Sequence, residues 1–286
     1  MSDEIQNEPE LPHEQSDART VPSTEEANRE VRLQMRRISR RSFIWAGVAA
    51  LGAYGGIRWL GSRRDEDGVP WPFRSVLRAN EGLANDYFGP ERLAPRFSHR
   101  DLTELRQNGD VGIDDEDYDP SQWRLTVNNV FGKDGPIQLT IEDIKMLPKV
   151  TQITEMYCIE GWSIVVEWTG ARFIDFAEKY PPNTTTSDEP AVRRAPEKLV
   201  PYVAMLTPDE SYYVGLDMAS ALHPQTLLCY EMNGQPLTLD HGAPLRLAIP
   251  VKYGVKNLKR IGTITYTSQR PADYWAEQGY DWFAGM

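Results

Sequence analysis

The sequence predicts a mixed α+β domain, rich in strands, with an apolar segment ahead of it. Short runs that alternate apolar and polar residues, as half-buried strands do, recur from Trp123 to Thr267, and short helical patterns separate them. Neither G-x-G-x-x-G nor G-x-x-x-x-G-K occurs, which weighs against a classical dinucleotide site or P-loop. A chain of 286 residues, of which 40% are hydrophobic, can build one substantial core and still carry a tail.

Local patterns predict the elements of this domain in order. Leu139–Ile144 opens a short helix, because Thr140 can act as N-cap and two carboxylates follow in the first turn. A second helix should run from Phe173 to Tyr180, where a pair of prolines ends it. Met218–Leu222 is predicted to be a helical turn. The predicted strands are Trp123–Val127, Thr151–Met156, Ile164–Trp168, Tyr202–Leu206, Tyr212–Leu216, Thr226–Met232, Leu245–Ile249 and Ile261–Thr267.

Three segments are predicted ahead of the folded domain. Residues 1–38 are acidic and contain no aromatic side chain, so they are expected to be disordered, because they cannot bury enough apolar area to offset the entropy of ordering. Residues 39–62 form an export or membrane segment, and residues 63–75 form a charged linker. The folded, catalytic domain is expected to occupy residues 76–286.

The segment at 39–62 predicts where the domain resides. Ser39-Arg40-Arg41-Ser42-Phe43 resembles the twin-arginine export signature, and an apolar run without charge follows it as far as Ile57. An arginine pair also flanks ordinary membrane segments. No small-x-small cleavage site follows, which favours retention as a membrane anchor with the N-terminus in the cytoplasm. We therefore expect the domain on the periplasmic side of the bacterial inner membrane, exported by the twin-arginine machinery.

Charge and cysteine usage exclude some classes of protein. A formal net charge of -11 argues against a nucleic-acid partner. The two cysteines, Cys158 and Cys229, could close at most one disulfide across a long loop, so the chain is not a small disulfide scaffold.

Cys158 has the surroundings most typical of a metal ligand. It lies in the run Met156–Trp162, with the sequence MYCIEGW. A thiolate beside a carboxylate, a glycine that permits close backbone approach and large aromatic rings suit a soft metal in a shielded pocket. Glu160 could relay a proton or cap the loop. An inert, buried cysteine is the alternative, since cysteine is among the residue types most often buried.

A second candidate segment runs from His241 to Arg260 and predicts an anion site. It contains no acidic residue, in a chain that is acidic overall, and like charges gathered on one surface need an offsetting partner. Arginine offers a bidentate fork for phosphate and lysine a point charge. A solvated basic face is the alternative. The basic residues that follow His241 in this segment are Arg246, Lys252, Lys256, Lys259 and Arg260.

Four motifs in this order resemble the molybdopterin-binding domain of the sulfite oxidase family, whose bacterial branch includes periplasmic methionine sulfoxide reductases. The similarity extends from about Trp123 to Arg270. It implies a sulfite-oxidase-like fold, a molybdenum–molybdopterin cofactor and oxygen-atom transfer. The motifs are Cys158-Ile-Glu-Gly-Trp-Ser with Trp168-Thr-Gly, Asn233-Gly-Gln-Pro-Leu, His241-Gly-Ala-Pro-Leu-Arg246-Leu, and Lys252-Tyr-Gly-Val-Lys-Asn-Leu-Lys259.

The resemblance also implies roles for individual residues. Cys158 matches the thiolate ligand of molybdenum, and Glu160 follows the pattern of the reductase branch. Arg96 and His99 are candidates for N-terminal pterin contacts. The residues expected to bind the cofactor, through side chains or backbone groups, are Cys158, Thr207, His241, Arg246, Asn257, Leu258 and Lys259.

The expected reaction is oxygen-atom transfer to or from a small sulfur or nitrogen compound. Glu160 and Thr207 favour reduction of S-oxides or N-oxides, whereas His241 favours a sulfite-oxidising relative. Without a haem domain of its own, the chain should exchange electrons with a membrane b-type cytochrome or a soluble cytochrome c. Two other classes stay open: a cysteine-dependent hydrolase, which would need a histidine to activate Cys158, and a non-catalytic binding module.

Overall fold

The computed structural model describes residues 24–286, except residues 67, 88, 90, 91, 108 and 114–117. The chain forms two compact units, Met1–Ser62 and Arg63–Met286. The second unit combines short helices with two five-stranded sheets, which confirms the predicted mixed α+β class.

In the first unit the described residues form one helix, α1 (Thr24–Gly61), and Ser62. This differs from the expected disordered tail at residues 24–38, because Ala, Glu, Arg, Leu, Gln and Met predominate there and favour the helical backbone. Residues 1–23 of that tail lie outside the described residues. The stretch Arg41–Gly61, 21 residues long, is long and apolar enough to cross a membrane, a criterion that a signal sequence would also meet.

The second unit begins with ordered structure where a linker was expected. A short antiparallel ribbon, β1 (Asp65–Glu66) with β2 (Val69–Pro70), leads into helix α2 (Trp71–Tyr87). Arg74 holds this helix to distant residues, since its buried guanidinium donates to the carbonyl of Ala276 at 2.7 Å. Long-range contacts of this kind leave no periodic signal in a charged, proline-punctuated stretch, so the sequence did not reveal them.

The remaining elements follow in chain order. The strands are β3 (Leu125–Asn128), β4 (Ile137–Leu139), β5 (Lys149–Tyr157), β6 (Ser163–Arg172), β7 (Tyr202–Leu206), β8 (Tyr213–Asp217), β9 (Leu227–Met232), β10 (Gln235–Pro236), β11 (Arg246–Ala248) and β12 (Thr263–Thr267). The helices are α3 (Ile141–Lys145), α4 (Phe173–Lys179), α5 (Met218–Ala221) and α6 (Tyr274–Glu277).

One sheet carries the cysteine loop. Strands β5 and β6 form a long antiparallel hairpin, with Lys149 opposite Ala171 and Tyr157 opposite Ser163. Strand β9 pairs antiparallel with β6, and β10 and β11 pair antiparallel with successive parts of β9. The hairpin therefore ends in the five residues 158–162, and β11 places the start of the basic segment in the same sheet.

The other sheet has the strand order β4-β3-β12-β7-β8, in which only the β3–β12 pair is parallel. The largest apolar cluster takes fully buried side chains from both sheets, Val203 and Leu228 among them. Strand β3 begins two residues later than predicted, because Trp123 follows a 3-10 turn and its indole nitrogen donates to the carbonyl of Ile261 at 2.8 Å.

The helix signals were accurate. Thr140 caps α3 through a capping box, in which its hydroxyl accepts from the amide of Asp143 and the carboxylate of Asp143 accepts from the amide of Thr140. Helix α4 ends at Lys179, just before the two prolines.

Candidate active site

A cavity of about 470 Å³ brings the cysteine loop and the basic segment together. Its wall is contributed by the residues that follow β5, by the 3-10 turn Gly254–Lys256 and by the C-terminal segment. A cavity of this size is in the range of small-molecule and cofactor sites. Its lining consists of Gly109, Val111, Cys158, Ile159, Glu160, Tyr212, Gly254, Val255, Asn257, Lys259, Trp275 and Tyr280.

The loop at the tip of the β5–β6 hairpin fixes Cys158 in this wall. The amide of Cys158 donates to the carbonyl of Trp162 at 2.8 Å, and the amide of Gly161 donates to the carbonyl of Cys158 at 3.1 Å. Gly161 has φ +85°, a left-handed conformation that glycine adopts without steric cost. The motif's glycine is thus explained by the turn that it makes.

Glu160 lies beside the thiol. Its Oε2 is 3.8 Å from Cys158 Sγ and accepts a hydrogen bond from the indole nitrogen of Trp162 at 2.7 Å. Burial raises the pKa of the Cys158 thiol, and the charge of Arg106, stacked on the Trp162 ring, opposes that rise. Both cysteines are free thiols, and Cys229 is fully buried.

A cationic cluster lies next to the cavity. The guanidinium of Arg246 donates to the carbonyls of His241 and Asn257 and stacks on Trp168, 4.8 Å from the ring centroid. The ammonium of Lys259 donates to the carbonyl of Gly109 at 2.7 Å. Among the residues that the structure describes, neither cation has a carboxylate within ion-pairing distance.

The pKa values of the cluster reflect this crowding of positive charge. Burial, with Arg246 adding to it, lowers the pKa of Lys259 to about 7, although Asp240 and Asp110 oppose the shift. Burial also lowers the pKa of His241, with Arg246 and Lys259 adding to the effect. The cluster is therefore short of negative charge.

These residues fit an anionic, sulfur-ligated cofactor. Arg246 Nε is buried without a hydrogen-bond partner among the described residues, and an unpaired buried donor of this kind costs free energy until an acceptor arrives. A thiol borders the same cavity as Lys259. Gly242 has φ +89°, and a Cβ there would lie 2.6 Å from the backbone nitrogen of Arg260, so only glycine permits this approach. A possible soft metal ligand, Cys158, and a possible anion-binding group, Lys259, therefore border the same cavity, with Arg246 next to it.

Two lysines of the basic segment have a different role from the one expected. Lys256 Nζ donates to Asp273 Oδ2 at 2.5 Å, and Lys252 Nζ lies 3.6 Å from Asp217 Oδ2. Both are almost completely buried and hold the fold together. The expectation that the whole stretch serves an anion is wrong for these two, because acids far away in sequence neutralise them.

The predicted cofactor residues do not all reach the cavity. Asn257 lines it, with its Oδ1 accepting from the amide of Ile249 at 2.8 Å. Leu258 is fully buried in the core, and both of its backbone polar groups bind other residues of the chain. Thr207 is buried beneath Gly112, with its hydroxyl hydrogen-bonded to Asp209. The cofactor roles of these residues stay predictions.

Other contributors were missed by sequence reasoning. Gly109 and Val111 line the cavity from a segment with no periodicity, ahead of the first predicted strand. Trp275 and Tyr280 line it from the C-terminus.

The two residues suggested as N-terminal pterin contacts do not line the cavity. Arg96 and His99 are exposed, and His99 Nε2 lies 2.6 Å from a carboxylate oxygen of Glu167.

The site does not resemble that of a cysteine hydrolase. A nucleophilic cysteine needs a lowered pKa and an adjacent base, whereas burial raises the pKa of Cys158. The His223 ring is hydrogen-bonded to the backbone of Arg92, and its pKa is lowered by burial. No histidine among the described residues is hydrogen-bonded to Cys158.

A cysteine loop and Lys259 on one cavity, with Arg246 beside it, are compatible with a molybdopterin oxidoreductase. Residues 111–275 match the protein family described as the oxidoreductase molybdopterin binding domain, which covers more than half of the chain. The chain belongs to this sulfite-oxidase family, and the expected molybdenum–molybdopterin cofactor and oxygen-atom-transfer class are confirmed.

Several curated proteins are similar to the chain. A protein from Azospira oryzae, provisionally named protein-methionine-sulfoxide reductase subunit YedZ1, is 31% identical over 223 residues, covering 77% of this chain and 79% of that protein. The protein-methionine-sulfoxide reductase catalytic subunit MsrP of Xanthomonas campestris is 32% identical over 155 residues, covering 54% of this chain and 48% of MsrP. The chain thus spans about half the length of that relative.

A solved structure is also similar over part of its length. The sulfane dehydrogenase SoxCD from Paracoccus pantotrophus aligns with a TM-score of 0.45 and 17% sequence identity, covering 54% of this chain and 40% of that one.

Proposed function

We propose that the chain is an S-oxide reductase that uses molybdenum–molybdopterin. The observation that carries the proposal is the carboxyl group of Glu160, 3.8 Å from Cys158 Sγ in the wall of the cavity. A negative charge beside the metal ligand disfavours an anionic substrate such as sulfite and tolerates a neutral S-oxide. The names of the similar proteins, which include a methionine sulfoxide reductase, support the same direction.

We further propose which residues hold the cofactor. Cys158 is the thiolate ligand of molybdenum, and His241, Arg246 and Lys259 bind the anionic pterin portion, because Arg246 and Lys259 have no carboxylate within ion-pairing distance among the described residues and His241 lies beside them. Asn257, Leu258 and Thr207 belong to the surrounding shell, the first directly on the cavity and the others behind it.

The bound cofactor would supply the two-electron redox chemistry of oxygen-atom transfer. The net reaction takes up two electrons and two protons, converting an S-oxide into a thioether and water. Glu160, whose carboxylate oxygen is 3.8 Å from the thiol, would exchange a proton with the substrate oxygen, while Trp162 holds its carboxylate in position.

Sulfite oxidation is the second candidate. The sequence feature that favours it is His241, which follows the sulfite-oxidising branch of the family. In the structure Arg246 donates to the carbonyl of His241, which puts His241 beside a cation that could bind an anion. N-oxides are a third substrate class that the same neutral-substrate argument accommodates.

Location and electron partner are part of the proposal. The twin-arginine-like motif and the apolar stretch Arg41–Gly61 support export and anchoring in the inner membrane, with the second unit on the periplasmic side. Electrons would then come from a one-electron donor at the membrane or in the periplasm, a b-type or c-type cytochrome. Fractionation of cells expressing the full chain, with a variant that has both Arg40 and Arg41 changed to Lys, tests the export route.

The first test is metal analysis combined with activity. The full chain, produced in a host that makes molybdopterin, should contain about one molybdenum and one pterin and should reduce methionine sulfoxide with a reduced viologen dye as the electron donor. Cys158→Ser should remain folded and lose this activity at least a hundredfold, since it removes the soft ligand. The fully buried Cys229 provides the control, because Cys229→Ala should retain the activity.

Other outcomes would contradict the proposal. Oxidation of sulfite without reduction of S-oxides would favour the second candidate. Full loading without any redox activity would indicate a binding module, and hydrolysis without metal would indicate a cysteine enzyme. Equal activity in Cys158→Ser and the parent would refute the ligand assignment.

A further inference from the structure

One wall of the cavity is aromatic and comes from the C-terminal segment. Trp275 and Tyr280 both line the cavity, with ring centroids 5.2 Å apart and planes at 84°. Tyr212 lines it as well, and Tyr274, 5.2 Å from Tyr212 and 5.5 Å from Trp275, bridges the rings. Such edge-to-face contacts stabilise a fixed arrangement of aromatic surface.

The polypeptide that carries this wall is held from two sides. The guanidinium of Arg74 donates to the carbonyl of Ala276 at 2.7 Å and to that of Tyr280 at 3.4 Å. On the other side the buried Lys256–Asp273 pair fixes the residue that caps α6. The rings are therefore presented by a braced turn, as a binding surface requires.

The aromatic wall contains no charged side chain among its described residues that could bind an ion. Among the described residues that line the cavity, only Glu160 and Lys259 are charged, and the ammonium of Lys259 is bound to the carbonyl of Gly109. The hydroxyl of Tyr212, which also lines the cavity, is already engaged, because it donates to the carbonyl of Val255 at 2.6 Å. Apolar surface of this kind gains free energy by covering an apolar group of a ligand.

We infer that Trp275, Tyr280 and Tyr212 form a subsite that takes the apolar substituent of a neutral organic S-oxide. The subsite selects substrates by the size and apolarity of the group attached to sulfur, and it favours aryl or long alkyl S-oxides over the dimethyl compound. This inference rests on the proposed function, because it names the substrate class of that site. Trp275 is the central specificity-determining residue, since its ring makes edge-to-face contacts with both Tyr274 and Tyr280.

The test compares two substrates on the molybdenum-loaded full chain. The parent should show a higher kcat/KM for methyl phenyl sulfoxide than for dimethyl sulfoxide. Trp275→Leu should lower kcat/KM for the phenyl compound about tenfold, mainly through KM, and leave that for the dimethyl compound nearly unchanged, because a hydrophobic contact contributes uniform binding. Trp275→Phe should recover most of the preference. An unchanged preference in Trp275→Leu would overturn the inference.

A matched control and a binding measurement keep the inference separate from the proposed function. Tyr253 is an exposed aromatic residue outside the cavity lining, so Tyr253→Leu should behave as the parent does, and an equal loss there would refute the assignment. Calorimetric titration with methyl phenyl sulfone, an unreactive analogue, should show about tenfold weaker binding to Trp275→Leu. If the sulfone binds more weakly to Trp275→Leu but no S-oxide is reduced, the subsite is supported and the reductase function is refuted. If the parent and Trp275→Leu bind the sulfone equally well, the subsite is refuted.

Discussion

Lys256 and Lys259 lie three residues apart and are both almost completely buried, with 1% and 6% of their surface exposed, yet their surroundings are opposite. Lys256 Nζ donates to the carboxylate of Asp273 at 2.5 Å and to the carbonyl of Gly215 at 2.9 Å. Lys259 Nζ donates to the carbonyl of Gly109, and its electrostatic neighbours include the cation of Arg246.

This difference separates a structural charge from a functional one. A buried ion is costly unless a counter-ion and hydrogen bonds satisfy it, and Lys256 has both. Lys259 and Arg246 bring two cations into one buried region without a close carboxylate among the described residues. A bound anionic ligand would supply the missing counter-ion. The presence or absence of a counter-ion, and not burial, is why we propose that Lys259 and not Lys256 serves the cofactor.

The largest effect is expected from breaking the structural pair. Lys256→Met should lower the free energy of unfolding of the cofactor-free protein by about 3–5 kcal/mol, because Asp273 would be left buried without its cation. Denaturant titration of the full chain in detergent measures this change. Lys259→Met is the matched control and should not lower stability, since it removes a buried amine that has no ion pair among the described residues. If both variants lost the same free energy of unfolding, Lys256 and Lys259 could not be divided into a structural and a functional charge.

For retention of the cofactor, the substitution at Lys259 is expected to have the larger effect and the substitution at Lys256 the smaller. Lys259→Met should release pterin at least tenfold more readily than the parent, because it removes a charge-assisted contact to an anion. Folded Lys256→Met, prepared at low temperature, should keep its pterin. Pterin fluorescence after gel filtration gives the content of each variant. A fully loaded Lys259→Met would show that the cation cluster binds something other than the pterin.

Sequence patterns predicted the segments that contribute to the candidate site, but not the partner of each charged side chain. The motifs around Cys158 and from His241 to Lys259 both contribute residues to the cavity, because each motif is a run of contiguous residues that a sequence pattern can identify. The two lysines could not be told apart, since Asp273 meets Lys256 only through the fold. Pairing across seventeen residues leaves no local signal.

The same limit explains the other omissions. The strands and the Thr140 cap were predictable, because alternation and capping are local properties of the chain. Gly109 and Trp275 reach the cavity from segments without periodicity, and helix α2 depends on the buried guanidinium of Arg74. The part of the site that we infer to select the substrate therefore depends on contacts made only in the tertiary structure.

The smallest effect, a dependence of stability on pH, sharpens the comparison further. The pKa of Lys259 in the folded chain is lowered from 10.5 to about 7, mainly by burial, with Arg246 adding to the shift and Asp240 and Asp110 opposing it. The unfolded chain therefore binds more protons than the folded chain between pH 7 and 10.5, so the stability of the apoprotein should rise with pH across this window, by at most about 1.4 kcal/mol per pH unit.

The contribution of Lys259 is isolated by difference. The pKa of Lys252 is also lowered to about 7 by burial, but that residue is common to the parent and to Lys259→Met, so only the parent should show the additional slope. Denaturant titrations at several pH values between 7 and 10 measure it. In the loaded enzyme an anion beside Lys259 favours the charged form and should remove the slope. A slope that persists after loading would place the anion elsewhere, and no slope in either form would mean that the charge of Lys259 is already neutralised within the chain.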